Sequence, residues 1–409
     1  MKTPVFIAVA AAAALSGSAA LTVDKVQQRY PWNGLVDIDY TVDAESAAAL
    51  GLDDQLTVTF VDLDADATVT NRAITFQQPL PLAAGSHRIT WDANADGYAF
   101  LSERLQVMLD VTHIAEVYMI IDVTSGADSS TYPVTYMQGA PLEGFNQNAY
   151  KGDKIVLRRI NPGAFIAGKT GSYKGDGNNN DKPRLNILTN VFWIGIFELT
   201  QKQWFNVKGD TPASNKGDYH PLENVAYYRV RSKPSWPAEK VPNNNSFLLR
   251  LCDRCKSADA SGNYTVPVKG FDLPTEAQWE FACRAGSTGA FYSATPQDDS
   301  TDEKLKAQLD KLGRYGASSH VEVGSYEPNG FGLYDMHGNV WEHCRDVYVN
   351  DPTKLPTVEP TGGATAGDYH VGRGGAYNAE AFKCTSSFRY QNGITEADVK
   401  RGYRIGRFE

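Results

Sequence analysis

Residues 328–346 read Pro-Asn-Gly-Phe-Gly-Leu-Tyr-Asp-Met-His-Gly-Asn-Val-Trp-Glu-His-Cys-Arg-Asp. Two pairs in this stretch, Asn329-Gly330 and Gly338-Asn339, favour positive φ, so we expect the backbone to turn sharply twice. Large apolar side chains lie between and after the turns, namely Phe331, Leu333, Tyr334, Met336, Val340 and Trp341. Turns bracketed by aromatic side chains predict a buried, irregular loop that must satisfy its own backbone hydrogen-bonding groups.

Other distinctive stretches flank this loop. They are Leu-Pro-Thr-Glu-Ala-Gln-Trp-Glu-Phe-Ala (273–282), Arg-Gly-Gly-Ala-Tyr (373–377), Gly-Tyr-Arg (402–404), Asn-Pro-Gly-Ala-Phe (161–165) and Gly-Ile-Phe-Glu-Leu-Thr-Gln-Lys-Gln-Trp (195–204). Together with the loop they resemble the signature of the formylglycine-generating enzyme family, also called sulfatase-modifying factors, over about residues 151–409. The resemblance implies a variant of the C-type lectin fold that is rich in loops. It says less about activity, because one fold hosts many functions.

The length and composition indicate a globular protein with two domains. At 409 residues the chain is too long for one ordinary core. Its net charge of −9 argues against a nucleic-acid partner. No stretch reaches the ~20 apolar residues that a membrane helix needs, so we expect no membrane span.

The first twenty residues resemble a signal peptide. Lys2 supplies the positive start, residues 5–15 are apolar, and Ser18-Ala19-Ala20 supplies small residues for cleavage. The apolar run is too short to cross a bilayer. We therefore expect residues 1–20 to be removed and the protein to be secreted or periplasmic.

Residues 21–145 predict an antiparallel β-sandwich. The predicted strands are Leu35–Val42, Leu56–Leu63, His87–Trp91, Arg104–Val111 and Val117–Val123. Turn signals such as Asn33-Gly34 and Asp96-Gly97 separate them. The expected fold is thus α+β, with this sandwich followed by a domain at residues 151–409 that is similar to formylglycine-generating enzymes.

A weak calcium motif lies in this first domain. Asp92, Asn94, Asp96 and Glu103 have the spacing of an EF-hand loop and supply hard oxygen ligands. EF-hand loops are flanked by helices, however, whereas strands are predicted on both sides here. An acidic turn between strands is the favoured interpretation.

The second domain is expected to contain few long helices. Thr200–Asn206 and Thr275–Ala285 are the best candidates, and Thr275 with Gln278 forms a capping box in the second. Thr301–Gly313 is rich in charges, with leucines at helical spacing, which predicts a surface helix.

All five cysteines lie in the second domain: Cys252, Cys255, Cys283, Cys344 and Cys384. Export permits disulfides, and an odd number leaves at least one free thiol in a monomer. Cys252 and Cys255 form a Cys-x-x-Cys pair without further zinc ligands nearby. A local disulfide or two free thiols are both open for this pair.

The resemblance also implies roles for the other cysteines. Active members bind copper(I) through two cysteines that follow Arg-Gly-Gly, and they use it to oxidise a substrate cysteine. Here residues 378–383 contain no cysteine and only Cys384 follows. By its context Cys384 resembles a structural partner of Cys283, which implies a Cys283–Cys384 disulfide and leaves Cys344 as a buried free thiol. Copper binding and formylglycine formation are therefore not expected.

The resemblance further implies a calcium site on the loop at residues 328–346. Its ligands would be the carboxylates of Asp335 and Glu342 and the backbone carbonyls of Gly338 and Val340, with water completing the shell. The alternative is that both acids cap turns or pair with arginines. His337 and His343 are expected to be satisfied histidines rather than metal ligands.

Two classes of function remain open. One is a non-catalytic module that binds a protein or glycan ligand with the loops of the second domain. The other is a formylglycine-generating oxidase that acts on a cysteine of sulfatases, or another oxidase of the same family. The missing copper pair favours the binding module.

Overall fold

The computed structural model describes residues 10–408 apart from 12, 15–19, 30–33, 45–46, 48–53, 66, 70–73, 77–83, 99–104, 114–115, 171–180, 232–244, 293–300, 361–368 and 396. The chain divides into two compact units, residues 1–114 with 161–165 and residues 115–160 with 166–409. Most of the expected signal peptide lies outside the described residues. In the part of the chain that is described, no helix is long and apolar enough to cross a membrane.

Two sheets make up the described part of the first unit. Its strands are β1 (Ala10–Ala11), β2 (Ala13–Ala14), β3 (Ala20–Gln28), β4 (Leu35–Val42), β5 (Asp54–Asp62), β6 (Ala67–Val69), β7 (Ile74–Phe76), β8 (Gly85–Asp92) and β9 (Leu105–His113). The strand orders are β1-β9-β5-β6 and β2-β3-β4-β8-β7. The four strands predicted in this region are confirmed as β4, β5, β8 and β9.

Both sheets contribute to one apolar core. Ile38 and Trp91 come from one sheet, and Phe60 and Val107 from the other. The rings of Phe60 and Trp91 stack with their centroids 4.2 Å apart. Two sheets around a shared core are what a sandwich requires, and the assignment of residues 21–145 as a β-sandwich stays a prediction.

The second unit is built mainly of strands. They are β10 (Tyr118–Asp122), β11 (Tyr132–Met137), β12 (Lys154–Ile160), β14 (Arg184–Leu188), β15 (Phe192–Gly195), β16 (Cys255–Ala258), β17 (Tyr264–Pro267), β18 (Phe271–Asp272), β19 (Gly313–Arg314), β20 (His337–Gly338), β21 (Trp341–Val347), β22 (Tyr369–Arg373), β23 (Tyr390–Gly393), β24 (Arg401–Gly402) and β25 (Gly406–Phe408). A further strand, β13 (Gly163–Ala167), crosses the division between the units, which falls after residue 165. One eight-stranded sheet has the order β17-β16-β11-β10-β12-β15-β25-β18, and a four-stranded sheet has the order β23-β22-β21-β24.

The position of β10 differs from the expected domain division. The predicted strand exists, but it pairs antiparallel with β11 and β12 inside the eight-stranded sheet. It therefore belongs to the second unit, and the division between the units falls at residues 114–115 rather than near residue 145. An apolar run shows that a strand is buried on both faces, but it does not show which strands flank it.

The helices of the second unit are short. They are α1 (Asn148–Gly152), α2 (Gln201–Lys208), α3 (Tyr227–Val230), α4 (Phe247–Arg254), α5 (Glu276–Arg284) and α6 (Asp302–Leu309). The three predicted helices are confirmed as α2, α5 and α6. The capping box of Thr275 and Gln278 forms as expected at the start of α5.

The loop at residues 328–346 is buried, as predicted. Asn329 organises its first half, because its Oδ1 accepts the backbone N–H groups of Phe331 and Leu333, both at 3.0 Å. With Asn329 making this turn through its side chain, the positive φ falls at Gly332 rather than at Asn329-Gly330. The second expected turn is present, with φ of 84° at Gly338 and 58° at Asn339.

Candidate functional site

Three carboxylates and one guanidinium lie buried beneath this loop. They belong to Glu198, Asp335, Glu342 and Arg404, each at most 1% exposed. The group carries three potential negative charges and one positive charge. Burying unbalanced charge is costly, so this set of residues, which we call the acidic cluster, is the strongest candidate for a site in the second unit.

Arg404 neutralises Glu342 directly. Its Nη2 donates to Glu342 Oε1 at 2.6 Å, and its Nε lies 2.9 Å from Oε2. The indole of Trp279 donates to the same Oε2 at 2.6 Å. The same Arg404 Nε also lies 3.1 Å from Oε1, so three N–H donors engage both oxygens of the carboxylate. Glu342 therefore takes the alternative role of pairing with an arginine.

Glu198 holds the turn at the end of the loop. Its Oε2 accepts from Asn339 Nδ2 at 2.6 Å, and its Oε1 accepts the backbone N–H of Val340 at 3.2 Å. Burial, followed by the neighbouring Asp335 and Glu342, raises the pKa of Glu198 well above its ordinary value. The sequence analysis missed Glu198, although a lone acid within the apolar run at residues 196–199 is a signal that could have found it.

Asp335 is the member of the acidic cluster with spare ligand capacity. Its φ is 56°, and its Oδ2 accepts the N–H of Gly324 at 2.5 Å. Its Oδ1 is buried without a hydrogen-bond partner. Burial raises the pKa of Asp335 to about 6, partly offset by the Gly324 hydrogen bond and by Arg404. An unpartnered carboxylate oxygen in a negatively charged pocket fits a cation ligand.

The two backbone ligands expected for calcium lie close by in sequence and are tightly packed. Gly338 donates its N–H to Gly374 O at 2.6 Å. A Cβ at Gly338 would lie 2.1 Å from the carbonyl oxygen of Arg314, so the turn requires glycine. Among the described residues, no three His, Cys, Asp or Glu side chains group as a metal site. A cation here would therefore depend on backbone carbonyls and water in addition to Asp335.

A second buried network surrounds the Arg-Gly-Gly stretch. Arg373 donates from Nη2 to Glu276 Oε1 at 2.6 Å and to Glu280 Oε2 at 2.8 Å. Burial alone would raise the pKa of Glu276, but Arg389 and Arg373 outweigh it and hold the pKa below its ordinary value. These residues connect helix α5 to strand β22, and each glutamate is paired with arginines. The network is structural and offers no free ligand atom of its own.

The predicted Cys283–Cys384 disulfide is not formed, and all five cysteines are free. Cys283 Sγ lies 3.6 Å from Ser386 Oγ, whereas Cys384 Sγ faces the carbonyl of Glu380 at 3.9 Å. The two thiols thus have separate partners although His337 contacts both residues. The sequence contexts of Cys283 and Cys384 correctly placed both residues near each other, around His337. They did not indicate that the two thiol groups point at different partners.

Burial keeps these thiols protonated and makes them poor nucleophiles. It raises the pKa of both Cys283 and Cys384 to about 12, and that of Cys344 well above its ordinary value. Cys344 is a buried free thiol, as expected. Of the two possibilities left open for Cys252 and Cys255, the structure has two free thiols at the end of α4 rather than a disulfide.

The two histidines of the loop are enclosed. His337 contacts Cys384 O through Nδ1 at 2.8 Å and accepts the N–H of Tyr292 at Nε2, at 3.3 Å. Both ring nitrogens are thereby satisfied, and burial lowers the pKa of His337 to about 3. His343 is also buried, and its ring stacks on Tyr403. Neither lies in a metal cluster of the described residues.

The EF-hand-like motif forms a turn after β8. Asp96 Oδ2 accepts from the indole of Trp91 at 2.8 Å, and Asp92 Oδ1 accepts the N–H of Ala95 at 3.0 Å. Glu103 lies outside the described residues. The carboxylates of Asp92 and Asp96 therefore stabilise the turn, in line with the favoured interpretation.

Comparison with known proteins identifies the family. The family model described as "Sulfatase-modifying factor enzyme 1-like domain" matches residues 145–407. A Paenibacillus barcinonensis protein named "Chaperone protein LppX" is 30% identical over 235 residues, which cover 50% of this chain and 76% of that protein. The formylglycine-generating enzyme of Streptomyces coelicolor is 40% identical over 119 residues, 26% of this chain and 36% of that enzyme.

Part of the chain is also similar to a solved structure. "Treponema denticola variable protein 1" matches with a TM-score of 0.46 and 24% identity, covering 63% of this chain and 96% of its own. The chain spans only about a third of the Streptomyces enzyme, so that enzyme's activity does not transfer with the match. The family model covers well over half of the chain. The chain belongs to the sulfatase-modifying factor enzyme 1-like family, whose members include the formylglycine-generating enzymes.

Proposed function

We propose that the second domain is a binding module for a protein or glycan ligand and does not generate formylglycine. The observation that carries this proposal is the state of the Arg-Gly-Gly region. Residues 378–383 contain no cysteine, and Cys384 is fully buried with a raised thiol pKa. Copper(I) chemistry of this type needs two thiolates beside a substrate groove.

The remaining cysteines do not replace the missing copper ligand. Cys283 and Cys344 are also fully buried, with pKa values raised by burial. In the metal-free protein these thiols are protonated near neutral pH, and neither residue lies in 378–383, where the resemblance places the copper ligands. No second thiolate is therefore supplied at the position where the family's chemistry would occur.

Two features support binding. Tyr228 and Tyr369 are about half exposed, and such side chains suit contacts with protein or sugar surfaces. The Paenibacillus relative carries the name of a chaperone, which is a role of acting on another protein. Export through the segment at residues 1–20 remains part of the proposal.

The alternative is an oxidase of formylglycine type, which the Streptomyces match favours through its 40% identity. The deciding assay incubates reduced, copper-loaded protein with a Cys-x-Pro-x-Arg peptide and measures the aldehyde by mass. We expect no product above a protein-free control. Turnover that disappears in Cys384→Ser, but persists in the distant Cys252→Ser variant, would establish the oxidase instead.

We further propose that calcium binds at the acidic cluster through Asp335, with backbone carbonyls of Gly338 and Val340 and water. The unpartnered Asp335 Oδ1 and the excess of negative charge support this. Glu342 already accepts from Arg404 and Trp279, so Asp335 is the carboxylate that we assign to the ion. A dication would remove the charge imbalance that otherwise has to be relieved by protons.

Thermal melting tests the calcium proposal. Ligand binding to the folded state raises the melting temperature, so we expect calcium to raise it relative to the chelated protein. Asp335→Ala should lose this response, whereas Asp259→Ala, at an exposed turn, should keep it. An unchanged melting temperature on chelation, together with wild-type behaviour of Asp335→Ala in calcium, would refute the site.

A further inference from the structure

Two histidines that are a hundred residues apart in sequence meet on the second unit. His220 Nδ1 and His320 Nδ1 are 3.0 Å apart, with the ring planes inclined at 68°. The side chain of His320 is 1% exposed, whereas His220 is half-buried and reaches the surface. One ring is thus held inside the domain while the other remains accessible to solvent.

The buried carboxylate of Glu223 lies on the side of the His320 ring that faces away from His220. Glu223 Oε1 lies 4.0 Å from His320 Nε2, and its side chain is fully buried. The same Oε1 accepts the backbone N–H groups of Ser214 at 2.5 Å and Asn215 at 2.8 Å. Glu223 Oε2 and His320 Nε2 are both buried without a hydrogen-bond partner.

The order His220, His320, Glu223 is the one found where a histidine binds a metal and a carboxylate holds its second ring nitrogen. When one imidazole nitrogen binds a metal, the other usually carries a proton that points at a carboxylate. Here His320 Nε2 points at Glu223, which leaves the lone pair of His320 Nδ1 directed at His220. Two neighbouring nitrogens on one ion at ~2.0–2.1 Å are separated by roughly 2.8–3.0 Å at a right angle and by roughly 3.3–3.4 Å at the tetrahedral angle. The separation of 3.0 Å between the two Nδ1 atoms lies at the right-angle end of this range.

The charge balance points in the same direction. Within ion-pairing distance of Glu223, the described residues offer only the imidazole of His320. If the two rings only shared a hydrogen bond, Glu223 Oε2 and His320 Nε2 would both stay buried without a partner.

We propose that His220 and His320 bind a divalent transition-metal ion of the zinc, nickel or copper class through their Nδ1 atoms, with Glu223 as the positioning residue for His320. Imidazole nitrogen suits these metals and does not suit calcium. No third His, Cys, Asp or Glu among the described residues completes the group. The remaining coordination positions, on the exposed side of His220, are therefore taken by water or by an exogenous ligand.

The site lies against the Arg-Gly-Gly-Ala-Tyr stretch. The ring of Tyr377 is 6.0 Å from that of His320, and Tyr377 O accepts the N–H of Ala317 at 2.6 Å. A metal ion with open positions here would add a Lewis-acidic contact to the surface of the second domain. This inference does not depend on the calcium or the ligand-binding proposal.

The test uses the full chain carrying Cys252→Ser, which removes the half-exposed thiol, in calcium-containing buffer. Zinc(II) binding is measured by calorimetry, and cobalt(II) binding by its visible absorption. The cobalt(II) spectrum should lack the near-ultraviolet band that thiolate ligands produce. We expect one equivalent of either metal. His220→Gln and His320→Gln should abolish binding, and Glu223→Gln should weaken it about 10–100-fold. His87→Gln, at a half-buried histidine of the first unit, should bind as the parent does.

His220→Gln is the decisive variant, because His220 is only half-buried and its replacement should leave the fold intact. A melting curve of the metal-free variant checks that it is folded. If the parent takes up neither metal in stoichiometric amount, or if His220→Gln binds both as the parent does, the two rings share a proton only and the proposal is wrong.

Discussion

At the scale of single residues, Asp335 makes stability depend on pH. Its folded pKa of about 6 lies above the ordinary value of 3.8, because burial disfavours the charged form. Protonated Asp335 therefore stabilises the folded state below about pH 4, and this contribution to the free energy of unfolding is lost as the pH rises through 6. The loss is about 3 kcal/mol at most. In chelator, we expect Asp335→Asn to be more stable than wild type at pH 7 and the two to converge near pH 4.

Urea denaturation at several pH values measures this difference. Calcium should reduce the wild-type disadvantage at pH 7, because the cation stabilises the ionised carboxylate. Parallel stability curves for wild type and Asp335→Asn between pH 4 and 7 would show that Asp335 does not titrate in this range.

Arg404 is the residue whose loss should cost most in the acidic cluster. Arg404→Gln leaves Glu342 and its neighbours buried without a cation, which is expected to cost about 3–5 kcal/mol. Arg229→Gln is the matched control, because Arg229 pairs with Asp210 at the surface, where such pairs contribute about 1 kcal/mol or less. Equal losses in the free energy of unfolding would contradict the assignment of Arg404.

At the scale of elements, the turn that enters β21 should tolerate only glycine at Gly338. Gly338→Ala combines a φ of 84° with a Cβ only 2.1 Å from the Arg314 carbonyl oxygen. Gly286→Ala has a similar φ of 88° but open space around its Cβ, so it isolates the backbone term of about 1–2 kcal/mol. Melting should place Gly338→Ala below Gly286→Ala by a further ~1–3 kcal/mol, and equal melting temperatures would rule out the clash.

Elements were more predictable from sequence than their partners. Strand β4 matches its predicted bounds, and the Thr275 capping box forms, because both depend on residues that are neighbours in sequence. Strand β10 was predicted but grouped with the wrong unit, since pairing is decided by distant residues. The Cys283–Cys384 disulfide was wrong for the same reason.

The candidate site was predictable to a similar extent. Asp335 was identified from its motif, and its unpartnered oxygen agrees with a ligand role. Glu342 was assigned to calcium by resemblance, whereas its charge is used by Arg404, 62 residues away. The pair of His220 and His320 was missed altogether, because nothing in either local sequence indicates a partner 100 residues away.

At the scale of the whole molecule, the family match and the folding unit do not begin at the same residue. The match begins at residue 145, whereas β10 and β11 lie inside the eight-stranded sheet between β16 and β12. A chain that begins at residue 145 would lack both strands and expose their neighbours. We expect it to aggregate or melt without cooperativity, whereas residues 115–409 should fold.

Circular dichroism melting of the two truncated chains checks this, with residues 21–409 as the reference. A cooperative transition for residues 145–409 at the reference temperature would show that β10 and β11 are dispensable and that the boundary near residue 145 is the correct one.

The position of β25 sets a condition on how the protein is made. Gly406–Phe408 is the last strand of the chain, yet it pairs with β15 on one side and β18 on the other. The sheet therefore cannot close before residues 406–408 have been synthesised, more than a hundred residues after β18. Such long-range closure slows folding. The eight-stranded sheet would thus stay open until residues 406–408 have been synthesised and have left the ribosome.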